Sequence, residues 1–518
     1  MPDSPNSSAR TTTLTADEVV QEIRRTAGEA NAIHFFLFIN PHSGSQQGAQ
    51  ILDLNLGMIC FKSLPDVRVH VYSLVDEEEC DNGLSNAKAI MVKKEQENLN
   101  PMIHICCGGG DGSLTGLLPR IEEKGMDVSN ISFSLLPFGT GNDLSRFLGT
   151  WSLDKQAAKD IMRSGHLRHL VYKQIRGRPV NIDVWNVHVT TFDQGFIKPV
   201  KAKQHESKDD TQSEICKKLL NNGAIGAQCY VGGDAERLRT SNRVANIASY
   251  TIQTIKWGLF KSFTTVTSMI DRIEQNGEII AHIDSAKYRR RPLSLSRGRS
   301  VGSAGSRKRS SGQESRSSTI TADANEISSK PEPVIIDKKA IELVFQNIPS
   351  LWGRMLNLWN RAETGSAVEE SSESTTIPDP VDPSKWHKQT SHDGEFELFL
   401  LENKISYVKK ELAIDRTDLA RIGHFKQARI VFRDFEEDQS PFRIPKHMRS
   451  SFSASSTKEK DPFQETKKDC IRIMIDGEFF IVRKPKFIDI SFWKQIKIMG
   501  PPDDDLSEEL EDSGNNGE

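Results

Sequence analysis

The stretch MIHICCGGGDGSLTGLLPRIEE, residues 102–123, decides how this chain is read. Residues 102–107 are apolar enough for a buried strand, and 113–123 carry a helical pattern of apolar positions. Between them, Gly108, Gly109 and Gly110 remove every side chain that would keep a polyphosphate away from the backbone. The helix that follows directs the positive end of its dipole to the same place. Asp111 is the informative residue. A carboxylate beside phosphates repels them, so it needs another task, such as holding Mg²⁺ or orienting an attacking hydroxyl. The blander role is that of a turn or N-cap residue.

Working outward, 33–39 (IHFFLFI), 67–73 (VRVHVYS) and 131–137 read as further strands, with helix-like stretches at 86–97 and 113–123. Strands alternating with helices predict an α/β domain with a mostly parallel sheet covered on both faces. Two more loops follow strands of this set. In Asn40-Pro41-His42-Ser43-Gly44-Ser45, small residues would let backbone N–H groups and the Ser43 hydroxyl approach a phosphate, although an ordinary strand-to-helix turn has the same composition. In Pro137-Phe138-Gly139-Thr140-Gly141-Asn142-Asp143, Gly139 and Gly141 supply backbone freedom and Thr140 and Asn142 supply donors, while Asp143 reads as the cap of the next helix. Ligands of open α/β sheets bind at the carboxyl ends of the strands. Three such loops at one edge therefore predict a nucleotide phosphate site. None has the Gly-Lys-Ser/Thr ending of a P-loop or the G-x-G-x-x-G dinucleotide fingerprint.

Beyond about residue 180 the character changes. Residues 181–191, 395–401, 428–432 and 471–482 alternate apolar and polar positions, which predicts antiparallel strands with one wet face. A helical piece lies near 243–259. The expected organisation is a leader over 1–30, a nucleotide-binding domain over 31–165, a mainly β domain over 180–500 and an acidic tail over 501–518. Polar, Ser-rich segments near 286–335, 363–392 and 436–467 read as flexible insertions, because they lack the apolar content to offset ordering entropy.

The 518 residues leave ample room for a core, and the net charge of −3 argues against wholesale nucleic-acid binding. Seven scattered cysteines show no zinc-type spacing, and they fit a reducing, intracellular setting without zinc. No apolar run approaches the roughly 20 residues of a membrane span. A cytoplasmic protein that visits membranes peripherally is the expectation. Its basic cluster Lys287, Arg289, Arg290, Arg291, Arg297, Arg299, Arg307, Lys308 and Arg309 is a candidate for anionic leaflets or a solvated, phosphorylated linker.

These loops, in this order, resemble the catalytic domain of diacylglycerol kinases and the related sphingosine, ceramide and bacterial lipid kinases. GGDGS at 109–113 is similar to the family's Gly-Gly-Asp-Gly-Thr, PFGTGNDLSRFLG at 137–149 to Pro-Leu-Gly-Thr-Gly-Asn-Asp-Leu-Ala-Arg, and NPHSGSQQG at 40–48 to Asn-Pro-Lys-Ser-Gly-Gly. The likeness continues through 222–243, 345–359 and MIDGE at 474–478. It implies a phosphofructokinase-like nucleotide domain followed by a β-sandwich, and transfer of the ATP γ-phosphate, with Mg²⁺, to the hydroxyl of diacylglycerol, giving the signalling lipid phosphatidic acid. It also implies an ATP phosphate site at Asn40, Ser43, Gly44, Gly109, Gly110, Gly112, Ser113, Gly139, Thr140, Gly141 and Asn142. Asp111 would be catalytic and a metal ligand, Asp476 a general base and Glu478 its neighbour. From the residues alone, Asp476-Gly477 is a hairpin turn. Two departures stand out: His42 replaces a family lysine, and Gln228 replaces an aspartate. A sphingosine or ceramide kinase, or an impaired nucleotide- or lipid-binding regulator, are the alternatives.

Overall fold

The computed structural model describes residues 32–43, 47–53, 55–139, 142–150, 166–202, 210–240, 243–283, 333–336, 339–351, 354–355, 358–359, 368–369, 386–411, 419–434 and 469–502. Its first portion is built on β1 (Ile33–Ile39), β2 (Met58–Phe61), β3 (Leu64–Ser73), β4 (Ile103–Gly109) and β5 (Ile131–Pro137). β1 lies between β3 and β4 and is parallel to both, β5 is parallel to β4, and β2 runs antiparallel along β3. The apolar run of β1 is uninterrupted because both faces are buried. Phe35, Leu37 and Ile39 enter one core with Leu136 and Leu170, and Phe36 and Phe38 enter another with Leu84, Ile105 and Leu114.

Five helices cover this sheet: α1 (Gln47–Leu52), α2 (Glu77–Gln96), α3 (Asp111–Glu123), α4 (Asp143–Phe147) and α5 (His166–Arg176). α2 begins nine residues ahead of the expected start at 86. Asp76 caps it through the Glu79 N–H (2.9 Å), and three glutamates occupy its first turn. Its internal Gly83 is a packing residue: a Cβ there would lie 2.7 Å from the rings of Phe38 and Tyr72. α5 falls beyond the expected domain boundary at 165. Its Leu167, Leu170 and Val171 nevertheless complete the core under β1.

The second portion comprises β6 (Pro179–Pro199), β7 (Glu214–Leu219), β8 (Asn222–Gly226), β9 (Ile270–Gln275), β10 (Glu278–Ile283), β11 (Val334–Ile336), β12 (Glu342–Gln346), β13 (Ser350–Leu351), β14 (Arg354–Met355), β15 (Val368–Glu369), β16 (Phe396–Leu401), β17 (Leu419–Phe425), β18 (Gln427–Phe432), β19 (Cys470–Ile475) and β20 (Glu478–Met499). Helices α6 (Ala227–Arg237), α7 (Arg243–Leu259) and α8 (Lys404–Glu411) accompany them. β20 pairs with β19 at its start, with β18 in its middle, with β6 along nearly its whole length, and with β5 through Lys497 and Ile498 at its end. All described strands except β13 and β14 therefore belong to one mixed eighteen-stranded sheet.

The turn expected at Asp476-Gly477 makes segment 471–482 a hairpin, β19 turning into β20, with left-handed φ at Asp476 (46°) and Gly477 (83°). One expectation changes here. The strands at 396–401 and 470–475 have no wet face. In β8, β12, β16 and β19 alternate residues enter a core inside the sheet (Ile225, Phe345, Leu398, Ile473), while the others pack beneath α6, α7 and α8 (Ala224, Val344, Phe399, Met474). The helices cover the face that alternation leaves for solvent. The edges of two expected insertions are also structured. β11 pairs with β10 and β15 through buried Val334 and Ile336, and Ser391 accepts the Asp183 N–H at 2.7 Å.

Candidate functional site

The three loops meet at the carboxyl edge of β1, β4 and β5. Asn40 donates its backbone N–H to the Gly108 carbonyl (2.9 Å), and Gly139 donates to the Gly109 carbonyl (3.0 Å). The second and third loops touch glycine on glycine, since a Cβ on Gly139 would lie 2.5 Å from the Gly110 Cα. A Cβ on Gly109 would fall 2.0 Å from the Ser113 Oγ, so this glycine serves packing. Gly112 faces open space. The fold makes α3 start at Asp111, two residues ahead of the expected start, with the Ser113 N–H taken by the Gly110 carbonyl (2.9 Å) and Gly112 on the cavity wall.

A cavity of about 610 Å³ opens here, between the first portion and the helices over the second. Asn40, Ser43, Gly110, Asp111, Gly112, Ser113, Gly139 and Asn142 line one end, and Asp476 and Glu478 the middle. The far wall carries Gln228, Arg239, Tyr250 and Lys410. Of the expected site residues, Gly44, Thr140 and Gly141 lie outside the described residues. His42 is exposed, donates its N–H to the Asn40 Oδ1 (3.0 Å), and does not line the cavity.

Asp111 is buried and does two things. Its Oδ2 accepts the N–H groups of Asp143 (2.6 Å) and Leu144 (3.4 Å), so Asp111 caps α4 from a neighbouring loop. The cap role expected of Asp143 thus falls to Asp111, because the left-handed Asn142 (φ 52°) turns the α4 amides towards the second loop. Its Oδ1 is buried without a hydrogen-bond partner among the described residues. Asn142 also differs from expectation. Its Nδ2 donates to the Pro137 (3.0 Å) and Gly139 (2.8 Å) carbonyls, so those donors staple the third loop instead of reaching a ligand.

Asp476 is half-buried at its turn, but its carboxylate is held by three successive amides. Oδ2 accepts from Leu220 (2.6 Å), and Oδ1 from Asn221 (2.9 Å) and Asn222 (3.0 Å). Asn221 joins the two carboxyls, for its Nδ2 donates to the Asp111 Oδ2 at 3.0 Å. Sequence reasoning missed Asn221. The only signal was a polar Asn-Asn pair between two strands, which reads as a turn. Glu478 is exposed and pairs with Lys217 Nζ at 2.8 Å.

The electrostatics follow from this crowding. Burial, then the neighbouring Asp143 and Asp476 carboxylates, push the Asp111 carboxyl up to about 8 against the amides that favour its charge. Burial raises Asp476 to about 7, against its three amides and with help from the Asp143 charge. Crowded carboxyls with a buried, unpartnered oxygen are what a divalent cation relieves, so the donor set fits Mg²⁺ with Asp111 as a ligand. On the far wall, Gln228 is buried and accepts from Lys410 Nζ (2.6 Å), which also meets Glu342 at 2.9 Å. The carboxylate beside position 228 comes from β12. Outside the cleft, His387, Glu395 and His424 present ligand atoms within 4.8 Å of one another.

Compared with known families, residues 34–175 match the model of the diacylglycerol kinase catalytic domain. No curated protein matches the chain.

Proposed function

We propose, for a chain whose residues 34–175 match the diacylglycerol kinase catalytic domain, that it is a lipid kinase of that family and transfers the γ-phosphate of ATP to the hydroxyl of diacylglycerol. The observation that carries the proposal is the Asn221 bridge, which joins the carboxyl of the glycine loop to the carboxyl of the distant hairpin. With the resemblance, it extends to a phosphofructokinase-type nucleotide domain and a β-sandwich, and to a peripheral membrane enzyme in the cytoplasm. No helix among the described residues is long and apolar enough to cross a membrane.

In this reading the Gly112 amide and the Ser43 hydroxyl hold ATP phosphates, and the open space at Gly112 admits them. Asp111 holds Mg²⁺, which neutralises charge on the transferring group. Asp476 accepts the proton as the acceptor oxygen forms its bond to the γ-phosphorus and the bond to the β–γ bridging oxygen breaks, releasing ADP. Its Oδ1 is filled by two amides, so Oδ2, with one amide, takes the proton. A titration near 7 suits a base working at neutral pH. Glu478 lines the cavity and is held by its ion pair with Lys217 (2.8 Å). Arg146 on the wall brings the positive charge that His42 does not, whereas Arg239 there is paired with Glu236 (3.1 Å).

The test is a panel of diacylglycerol, sphingosine and ceramide with γ-labelled ATP. Diacylglycerol should be labelled, and Asp111→Ala and Asp476→Asn should each lower turnover at least about a hundredfold. Labelling of sphingosine or ceramide alone would reassign the acceptor. Full activity in Asp476→Asn would remove the base. Binding of Mg-ATP with no lipid labelled would make the protein a regulator.

A further inference from the structure

Helix α7 carries a feature that phosphate transfer does not use. Its residues advance by about 100° each, which divides its surface into stripes. Gln253 and Trp257 point into the core and are 5% and 7% exposed. Ile247, Thr251 and Thr254 line the cavity. The next stripe around the helix is Ile252, Ile255 and Leu259, which are 60%, 52% and 70% exposed, and Phe260 just past its end is 81% exposed. Ile405, at the start of α8 and 68% exposed, joins them where Lys404 Nζ donates to the Lys261 carbonyl. A helix that hides one apolar stripe and leaves a second open beside a cavity mouth is built to lie on another apolar medium.

The charge around this patch says which medium. Residues 237–270 contain five basic side chains, Arg237, Arg239, Arg243, Lys256 and Lys261, and no Asp or Glu, in a chain whose net charge is −3; Arg239 is paired with Glu236 and Lys261 with Asp234, both at 3.1 Å, which leaves Lys256 as the cation beside the stripe. Apolar side chains among lysines and arginines match the acyl boundary and anionic headgroups of a bilayer leaflet.

We infer that α7, with Phe260 and the first turn of α8, is a docking surface for an anionic lipid bilayer, which it engages through Ile252, Ile255, Leu259, Phe260 and Ile405. The inference rests on the lipid-kinase reading in one respect: docking here sets the cavity mouth against the leaflet, so an acceptor hydroxyl passes from the membrane along Ile247 and Thr251 towards Asp476. Lys256 lies beyond the apolar stripe, where an ammonium reaches headgroups while the stem stays on the helix.

The experiment is sedimentation of the full chain with phosphatidylcholine vesicles, with and without phosphatidylserine and with no diacylglycerol or ATP present. The expected result is binding to the anionic vesicles that weakens as salt is raised. The triple variant Ile252→Ser/Leu259→Ser/Phe260→Ser should bind them about a hundredfold less, given the apolar area it withdraws. Lys256→Glu should lose affinity only for the anionic vesicles. Melting temperature, Mg-ATP binding and phosphorylation of a short-chain, water-soluble acceptor should be unchanged in the triple variant. Undiminished vesicle binding by that variant would overturn the proposal. So would a wild-type dimer that the triple variant dissociates, since the patch would then belong to a second copy. Vesicle binding by a protein that phosphorylates no lipid would leave the docking surface standing and remove the kinase reading. Turnover of the soluble acceptor without vesicle binding would do the reverse.

Discussion

Asn221 is buried, and its side chain and backbone serve two carboxyls from opposite ends of the chain. Replacing it with Ala leaves the Asp111 oxygen without that donor, a loss of about 1–3 kcal/mol, and lets the two carboxyls drift. Asn221→Ala is expected to melt several degrees lower and to lose at least about tenfold in turnover, as read by calorimetry and the labelling assay. The raised Asp111 carboxyl makes a second prediction. Near neutral pH it holds a proton that a metal must displace, so Mg²⁺ affinity should rise about tenfold per pH unit until about 8 and then level. Titration calorimetry in buffers of different ionisation heat would detect the released proton, and a pH-independent affinity would contradict the ligand assignment. The sign for stability is opposite. A carboxyl whose folded value lies above its unfolded 3.8 stays protonated in the folded state after the unfolded chain has ionised. Without metal, stability contributed by Asp111 and Asp476 should therefore be full below about pH 4 and decline towards 7–8.

At the scale of elements, the glycine loop separates two physical demands that look alike in sequence. Gly109→Ala puts a Cβ 2.0 Å from the Ser113 Oγ and should destabilise by about 1–3 kcal/mol. Gly112→Ala meets nothing within 4 Å and sits in a helix, so its melting temperature should hold or rise while nucleotide affinity falls. Paired melts and ATP titrations separate the two. The hairpin at Asp476 allows a similar comparison. Asn tolerates the left-handed φ of 46° and can still accept N–H groups, whereas Ala strands three amides. Asp476→Ala should thus lower stability clearly more than Asp476→Asn, although both lose activity. Strand and helix positions were legible here because each has a local cause: the apolar run of β1, the glycines after β4, the Asp-Gly turn of the hairpin. The start of α2 was not, because the close packing of Gly83 against Phe38 and Tyr72 is a tertiary contact. The wet faces expected of β16 and β19 were wrong for a non-local reason, since α6, α7 and α8 arrive from elsewhere in the chain to cover them.

At the scale of the whole molecule, β20 is the seam. Ile496 and Ile498 sit in the same core as Phe133 and Leu114, together with Ile182 and Val184 of β6. The two portions should therefore melt in one transition, and Ile498→Ala should destabilise both together by about 2–5 kcal/mol, visible as a single shifted calorimetric peak. Two separate peaks would show that the shared core does not couple them. The sequence by itself determined the three glycine-bearing loops, the α/β order of the first portion, Asp111 and the turn at Asp476, because turn chemistry and periodicity are local properties; a site role for Asp476 came only from the family resemblance. Only the tertiary structure decided what those residues do to one another. It set Asp111 against α4, hung Asp476 on three amides and placed Asn221 between them. Each of these contacts joins residues distant in sequence, and burial, which the packed core alone supplies, is what raises both carboxyls.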